Sequence, residues 1–190
     1  IIIMAGFLES IKGLLRGKPK GYVIADVYRG LRQQVLTIEP EKFGMTPKET
    51  NRVWGVLMET GYPEAVATLV TLADGTVSIY FSNGGGWIGF GKHETHKVCE
   101  AFLDMAPKFI TYASHTDAFP LPSKGYTRFY FLTFDGIFTV EAKENDLGNW
   151  RSSLSPFFHK GHDVITEVRL INEKLKARNN EPPTTDKQQC

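Results

Sequence analysis

Apolar residues in the first third of the chain recur at helical spacing in three segments. The first segment spans Met4–Leu15 and the second spans Ile24–Val35. The third follows Thr46-Pro47-Lys48-Glu49, where a threonine cap, a proline and a glutamate are typical of a helix start. This pattern predicts a helix that ends at Gly61 and Pro63. Its buried face would hold Val53, Trp54, Leu57 and Met58.

Strand-like patterns follow this segment. Val66–Leu72 is rich in β-branched residues, and apolar and polar residues alternate over residues 76–81, which predicts a strand with one core face. Asp74-Gly75 lies between the two runs and is a strong hairpin signal. After a glycine-rich turn, a short third strand is predicted. It would contain Trp87, Ile88 and Phe90.

The second half of the chain repeats this order of elements. Residues 92–110 predict a helix that Pro107 limits. Tyr126–Phe134 and Ile137–Glu141 predict a second hairpin that turns at Asp135-Gly136. Apolar spacing predicts a last helix from about Val164, with the preceding residues 159–162 as a solvated turn.

These elements predict an α+β fold with helices packed on a single antiparallel sheet of about five strands. The length of 190 residues suits one domain, and 42% hydrophobic residues provide a core. We therefore expect an N-terminal amphipathic arm at residues 1–20, one α+β domain at 21–178 and a disordered polar tail at 179–190.

From Trp54 to about Leu175 this order of helices and hairpins resembles the profilin, longin and roadblock group of small domains. The resemblance lies in the order of elements and covers about two-thirds of the chain. It implies a domain that binds other proteins, often as a dimer, and that is rarely an enzyme.

A glycine-rich stretch raises the question of phosphate binding. Gly84, Gly86 and Gly89 match the G-x-G-x-x-G pattern in which backbone N–H groups approach a pyrophosphate. The pattern requires a helix after the glycines, whereas the bulky residues Trp87 and Ile88 favour a strand. We therefore favour a turn and a bent edge strand, with a phosphate loop as the alternative.

Two histidine pairs with a spacing of three residues, His93/His96 and His159/His162, raise the question of a metal site. His93 and His96 share one side of the predicted helix, and Cys99 continues the same stripe. Zinc accepts this combination of nitrogen and thiolate ligands. The zinc-protease motif places its histidines four residues apart, whereas these lie three apart. A metal-dependent enzyme that uses these residues is therefore an alternative to an ordinary amphipathic helix, and we expect no cofactor.

The favoured functional hypothesis is a non-enzymatic interaction domain that forms a homodimer or binds another protein. The candidate contact residues are Trp87, Phe90, Phe7, Leu8 and Ile11. A peripheral membrane protein is the alternative, because residues 4–20 combine an apolar face with a basic end. A net charge of +1 argues against nucleic acid as a partner. Two cysteines, Cys99 and Cys190, show no disulfide framework, so a cytoplasmic location is expected, with membrane association as the alternative.

Overall fold

A seven-stranded antiparallel sheet organises the described part of the chain. The computed structural model describes residues 21–43, 53–89 and 93–179. The strands lie in the order β4-β3-β2-β1-β6-β7-β5, so β1 is central and β4 and β5 form the two edges. The strands are β1 (Gly55–Gly61), β2 (Val66–Leu72), β3 (Val77–Phe81), β4 (Gly86–Gly89), β5 (Ser114–His115), β6 (Tyr126–Thr133) and β7 (Gly136–Lys143).

Helices cover both faces of this sheet. The helices are α1 (Asp26–Thr37), α2 (His93–Leu103), α3 (Ala106–Phe109), α4 (Glu144–Gly148) and α5 (Ser155–Asn179). Two short 3-10 turns occupy Pro40–Phe43 and Ile110–Tyr112. The α1 helix packs on one face, which we call the α1 face, and α2 and α5 pack on the other, which we call the α2–α5 face. The result is a three-layer α+β arrangement.

The larger core lies on the α2–α5 face. Stacked aromatic rings dominate its centre, and Phe157 of α5 lies 4.5 Å from Phe102 of α2 and 5.4 Å from Phe131 of β6, between ring centroids. Aromatic rings in offset contact bury large apolar areas and add a specific geometry. This core therefore fixes the two long helices against the middle of the sheet.

Both Asp-Gly hairpins are confirmed. The β2–β3 turn contains Asp74-Gly75, where the Asp74 carboxylate accepts the Thr76 backbone N–H at 2.8 Å. The β6–β7 turn contains Asp135-Gly136, with Thr133 paired with Gly136. Such turns depend on local chemistry, which explains why the sequence predicts them well.

The predicted helix ending at Gly61 is wrong, because Gly55–Gly61 form the central strand β1. β1 pairs with β2 on one side and with β6 on the other, and all seven of its residues are buried. A strand buried on both faces carries consecutive apolar residues, which also fit a helical period. The predicted helix start at Thr46–Glu49 lies outside the described residues.

Three further predictions need correction. The sheet has seven strands rather than about five. The last helix begins at Ser155, so His159–His162 lie inside α5 and form no solvated turn. β3 has two covered faces, because Val77 packs on the α2–α5 face while Tyr80 is buried on the α1 face. The predicted N-terminal arm and nearly all of the C-terminal tail lie outside the described residues.

Candidate functional site

The glycine-rich stretch forms the β3–β4 hairpin at one edge of the sheet. Gly84 donates its backbone N–H to the Phe81 carbonyl at 3.0 Å, and Phe81 donates its N–H to the Gly85 carbonyl at 3.2 Å. Gly86 has a φ of 143°, and a Cβ there would lie 2.5 Å from the backbone oxygen of Ile79. The glycines therefore permit a tight hairpin, and the predicted turn and edge strand are confirmed.

The outer edge of β4 carries hydrogen-bonding groups that pair with no strand among the described residues. Facing pairs in an antiparallel ladder alternate between bonded and unbonded. Since Phe81 bonds to Gly85, the next bonded pair in the register joins Ile79 to Trp87. Gly86 and Ile88 therefore turn their N–H and C=O groups outward, away from β3.

Trp87 lies at this edge with its side chain on the α2–α5 face. The ring is half-buried and packs against the larger core, so it is neither fully exposed nor fully enclosed. Phe90, the neighbouring contact candidate, lies outside the described residues, as do Phe7, Leu8 and Ile11. Of the five candidate contact residues, the structure therefore describes only Trp87, which lies on the edge strand β4.

The first histidine pair lies on α2. α2 begins at His93, whose side chain lies outside what the structure describes. His96 is exposed and lies 3.8 Å from the Glu100 carboxylate, between Nδ1 and Oε2. With Glu100 and Cys99, it lines a cleft of about 260 Å³ between α2 and the β2–β3 turn. Among the described residues, no group of three His, Cys, Asp or Glu side chains could hold a metal ion.

Cys99 is buried in the larger core, and burial raises the pKa of its thiol to about 11. A thiol with such a pKa stays protonated at neutral pH, and the protonated form is a poor nucleophile and a poor metal ligand. The side chain therefore behaves as a small core residue.

The second histidine pair lies on α5 beneath Trp150. The Trp150 indole stacks on the His159 ring at 4.2 Å between centroids, and Trp150 has a φ of 58°, in the left-handed region. His162 packs against Phe158 at 4.4 Å. The Nε2 atoms of both histidines are buried and have no hydrogen-bond partner among the described residues. Burial, with the nearby His159 as the second cause, lowers the pKa of His162 below its usual value.

Protonation of His162 should destabilise the fold. The pKa of His162 is lower in the folded protein than in the unfolded chain, where it lies near 6.5, so folding favours the neutral imidazole. The stability that depends on this neutral form is fully present above pH 6.5 and is lost as the pH falls through the pKa of the folded state. We expect the free energy of unfolding to fall below pH 6.5 by up to about 1.4 kcal/mol per pH unit for this group. Urea unfolding of wild type and His162→Gln at several pH values measures this slope.

Thr166→Ser serves as the control for the pH series, because it lies one turn further along α5 and changes no titrating group. Thr166→Ser should keep the wild-type dependence of the free energy of unfolding on pH. His162→Gln should show a weaker dependence, because it lacks the titrating imidazole. An undiminished slope in His162→Gln would assign the acid sensitivity to other groups.

A buried ion pair on the α1 face was missed by the sequence analysis. Arg32 of α1 donates from Nε and Nη2 to the two carboxylate oxygens of Glu59 on β1, at 2.7 and 2.9 Å. Glu59 is 0% exposed and the Arg32 side chain is 12% exposed. Two parallel charge-assisted bonds form the strongest geometry available to such a pair.

Hydroxyl groups and aromatic rings surround this ion pair. The Thr68 hydroxyl lies 3.3 Å from a Glu59 oxygen and 2.9 Å from the Tyr28 hydroxyl. The Arg32 guanidinium lies 5.6 Å from the centroid of the Tyr130 ring. The Tyr80 hydroxyl is buried and has no hydrogen-bond partner among the described residues.

The electrostatics of the cluster favour a structural role. Desolvation, with the charge of Glu59 as the second cause, raises the pKa of Tyr28 and of Tyr80, so both phenols stay protonated at neutral pH. Both oxygens of Glu59 accept bonds from Arg32, which leaves this carboxylate poorly placed to act as a base. The cluster therefore attaches α1 to the sheet.

A charged row continues across the sheet beside this cluster. Glu59 faces Arg128 on β6, and Arg128 in turn faces and pairs with Glu141 on β7. Alternating charges on directly opposite positions attract each other across strands. One signal of this row was visible in the sequence, since Glu59 interrupts an apolar run.

No protein-family model matches the chain, and comparison with curated proteins and with solved structures also finds no match. Among the described helices, none combines the length and the apolar character needed to cross a bilayer. Residues 4–20, the candidate membrane-binding segment, lie outside the described residues.

Proposed function

We propose that this chain is a non-catalytic interaction domain that self-associates through the outer edge of β4. The supporting observation is the row of outward backbone groups on β4 that pair with no strand in the described part of the chain. An exposed strand edge is a template for another strand, and strand addition is a common mode of protein recognition.

The rest of the sheet offers less to a partner strand. Helices cover both faces, so strand pairing is confined to the edges. The opposite edge consists of the two-residue strand β5, Ser114 and His115, and of residues 140–143 of β7, which β5 does not pair. That part of β7 carries Glu141 and Lys143, and charged side chains discourage pairing at an edge. Short edge strands are one way in which proteins protect a sheet edge from pairing. β4 is therefore the favoured edge.

A second copy suits this edge because β4 can pair with itself. A two-fold antiparallel pair that uses the outward groups of both strands places Gly86 opposite Ile88 of the second copy. Trp87 then lies opposite Trp87 of the second copy, on one face of the joined sheet. Cross-strand aromatic pairs stabilise such a ladder. The half-buried Trp87 would become more buried on association.

Replacing Ile88 with proline tests this proposal. Proline removes the outward N–H of residue 88, while the bonds between β4 and β3 use residues 87 and 89. We expect wild type to dimerise and Ile88→Pro to weaken dimerisation at least tenfold, which corresponds to about 1.4 kcal/mol. Sedimentation equilibrium over a concentration series measures the dissociation constant, and circular dichroism confirms that the variant folds.

The matched control is His115→Pro at the opposite edge. Thr116 donates its N–H to the Ile137 carbonyl, so the N–H of His115 points outward in the same way as that of Ile88. This variant should keep the wild-type dissociation constant. A monomeric wild type at every concentration, or a folded Ile88→Pro that dimerises like wild type, contradicts the proposal.

A further inference from the structure

A second surface, next to β4, is an apolar cleft between α1 and the β3–β4 hairpin. Its volume is about 200 Å³. Val27 on its rim is 62% exposed, which is high for a valine beside an apolar cleft. The cleft is lined by Val27, Tyr28, Leu31, Tyr80, Phe81, Gly85 and Gly86. An apolar groove of this kind suits the apolar face of a helix.

The chain itself supplies such a face close by. Residues 1–20 lie outside the described part of the chain and carry the amphipathic pattern of Met4–Leu15. The chain enters α1 beside the cleft, because Ala25 donates its N–H to the Ser82 carbonyl at 2.7 Å, at the end of β3. The described chain begins four residues earlier, at Gly21, and the Tyr22 ring lies beside Lys124. The segment therefore joins the domain at the end of the sheet where β3 ends, and the chain reaches the cleft from there.

Length and tethering also favour this occupant. The five residues Arg16–Lys20 connect Met4–Leu15 to the described domain, which begins at Gly21, and reach roughly 17 Å when extended. A segment held by so short a linker has an effective concentration in the millimolar range at a neighbouring groove. A separate partner protein of equal affinity would need a concentration above this value to occupy the cleft in place of the segment.

From these observations we infer that the apolar face of Met4–Leu15, with Phe7, Leu8 and Ile11, docks into the cleft between α1 and the β3–β4 hairpin of the same chain. The segment would cover the exposed Val27 and brace the hairpin that carries β4. This inference does not rest on the pairing of β4 with a second copy.

Disulfide trapping in the 190-residue chain tests the inference. Two double-cysteine proteins are made in a Cys190→Ser background. The 8–27 protein combines Leu8→Cys with Val27→Cys on the cleft, and the 8–33 protein combines Leu8→Cys with Gln33→Cys on the exposed side of α1. Under mild oxidation at low protein concentration, we expect the 8–27 bond to form within one chain at least tenfold faster than the 8–33 bond. Intact mass and non-reducing gels separate bonds within a chain from bonds between chains.

The apolar face is tested with a matched pair of charge changes in the 8–27 protein. Ile11→Asp places a carboxylate on the proposed contact face and should reduce the rate of bond formation to that of the 8–33 pair. Lys12→Asp lies on the polar side of the same segment and should preserve the fast rate.

Two outcomes overturn the inference. Equal rates for the 8–27 and 8–33 pairs would show that the segment has no preference for the cleft. Bonds that form mainly between chains would assign the cleft to a second copy instead. Both outcomes are independent of Ile88→Pro, so failure here is distinguishable from failure of the β4 proposal.

Discussion

Replacing Arg32 with alanine is expected to lower the free energy of unfolding by about 3–5 kcal/mol. The change removes both hydrogen bonds that Arg32 donates to the Glu59 carboxylate, which is 0% exposed. Arg128 still faces Glu59 from β6 but is paired with Glu141. A buried charge that loses its hydrogen-bonded partner is far more costly than the loss of an exposed ion pair. Urea or guanidinium unfolding, with the midpoint and slope both measured, gives the difference.

Arg29→Ala is the matched control on the same helix. Arg29 is 67% exposed and pairs with Asp26, one turn away on the surface, at 2.9 Å. This change should alter stability by no more than about 0.5 kcal/mol. Removing both charges with Arg32→Met and Glu59→Leu should recover most of the loss, because an apolar replacement of a buried pair is often neutral. Equal effects of Arg32→Ala and Arg29→Ala would show that the ion pair does not secure α1.

Replacing Gly86 with alanine is the second change with a large expected effect, about 2–4 kcal/mol. Its φ of 143° is disfavoured for residues with a Cβ, and the new atom would meet the backbone of Ile79 and Tyr80. Backbone cannot move aside as a flexible side chain can. We therefore expect the β3–β4 hairpin to distort, which chemical unfolding and hydrogen exchange in residues 77–89 would both detect.

Gly85→Ala separates backbone strain from steric overlap in the same turn. Gly85 has a φ of 81°, but a Cβ there would meet nothing within 4 Å. Alanine should therefore cost about 1–2 kcal/mol from the left-handed conformation alone. If Gly85→Ala destabilised the protein as much as Gly86→Ala, the close approach of β4 to β3 would not explain the glycine at position 86.

Local signals in the sequence predicted some parts of the fold well. Asp74-Gly75 and Asp135-Gly136 specify their turns through neighbouring residues, and both hairpins are present. The glycine-rich turn and edge strand around Gly86 were also predicted, because Trp87 and Ile88 favour a strand over a helix.

Tertiary context decides the parts that the sequence analysis missed. Val56–Met58 are consecutive apolar residues, and their assignment to a strand depends on the pairing of β1 with β2 and β6. The ion pair joins Arg32 to a residue 27 positions away, so neither periodicity nor local motifs reveal it. Glu59 in an apolar run indicates that a buried partner is needed but does not identify that partner.

The most direct test of the central claim is amide hydrogen exchange at Gly86 and Ile88, measured by NMR in dilute and concentrated samples. Pairing of β4 with a second copy should protect these two outward amides at least tenfold more in the dimer, while exchange at His115 on the opposite edge stays unchanged. A dimer in which the amides of Gly86 and Ile88 exchange as fast as in the monomer would contradict association through the β4 edge.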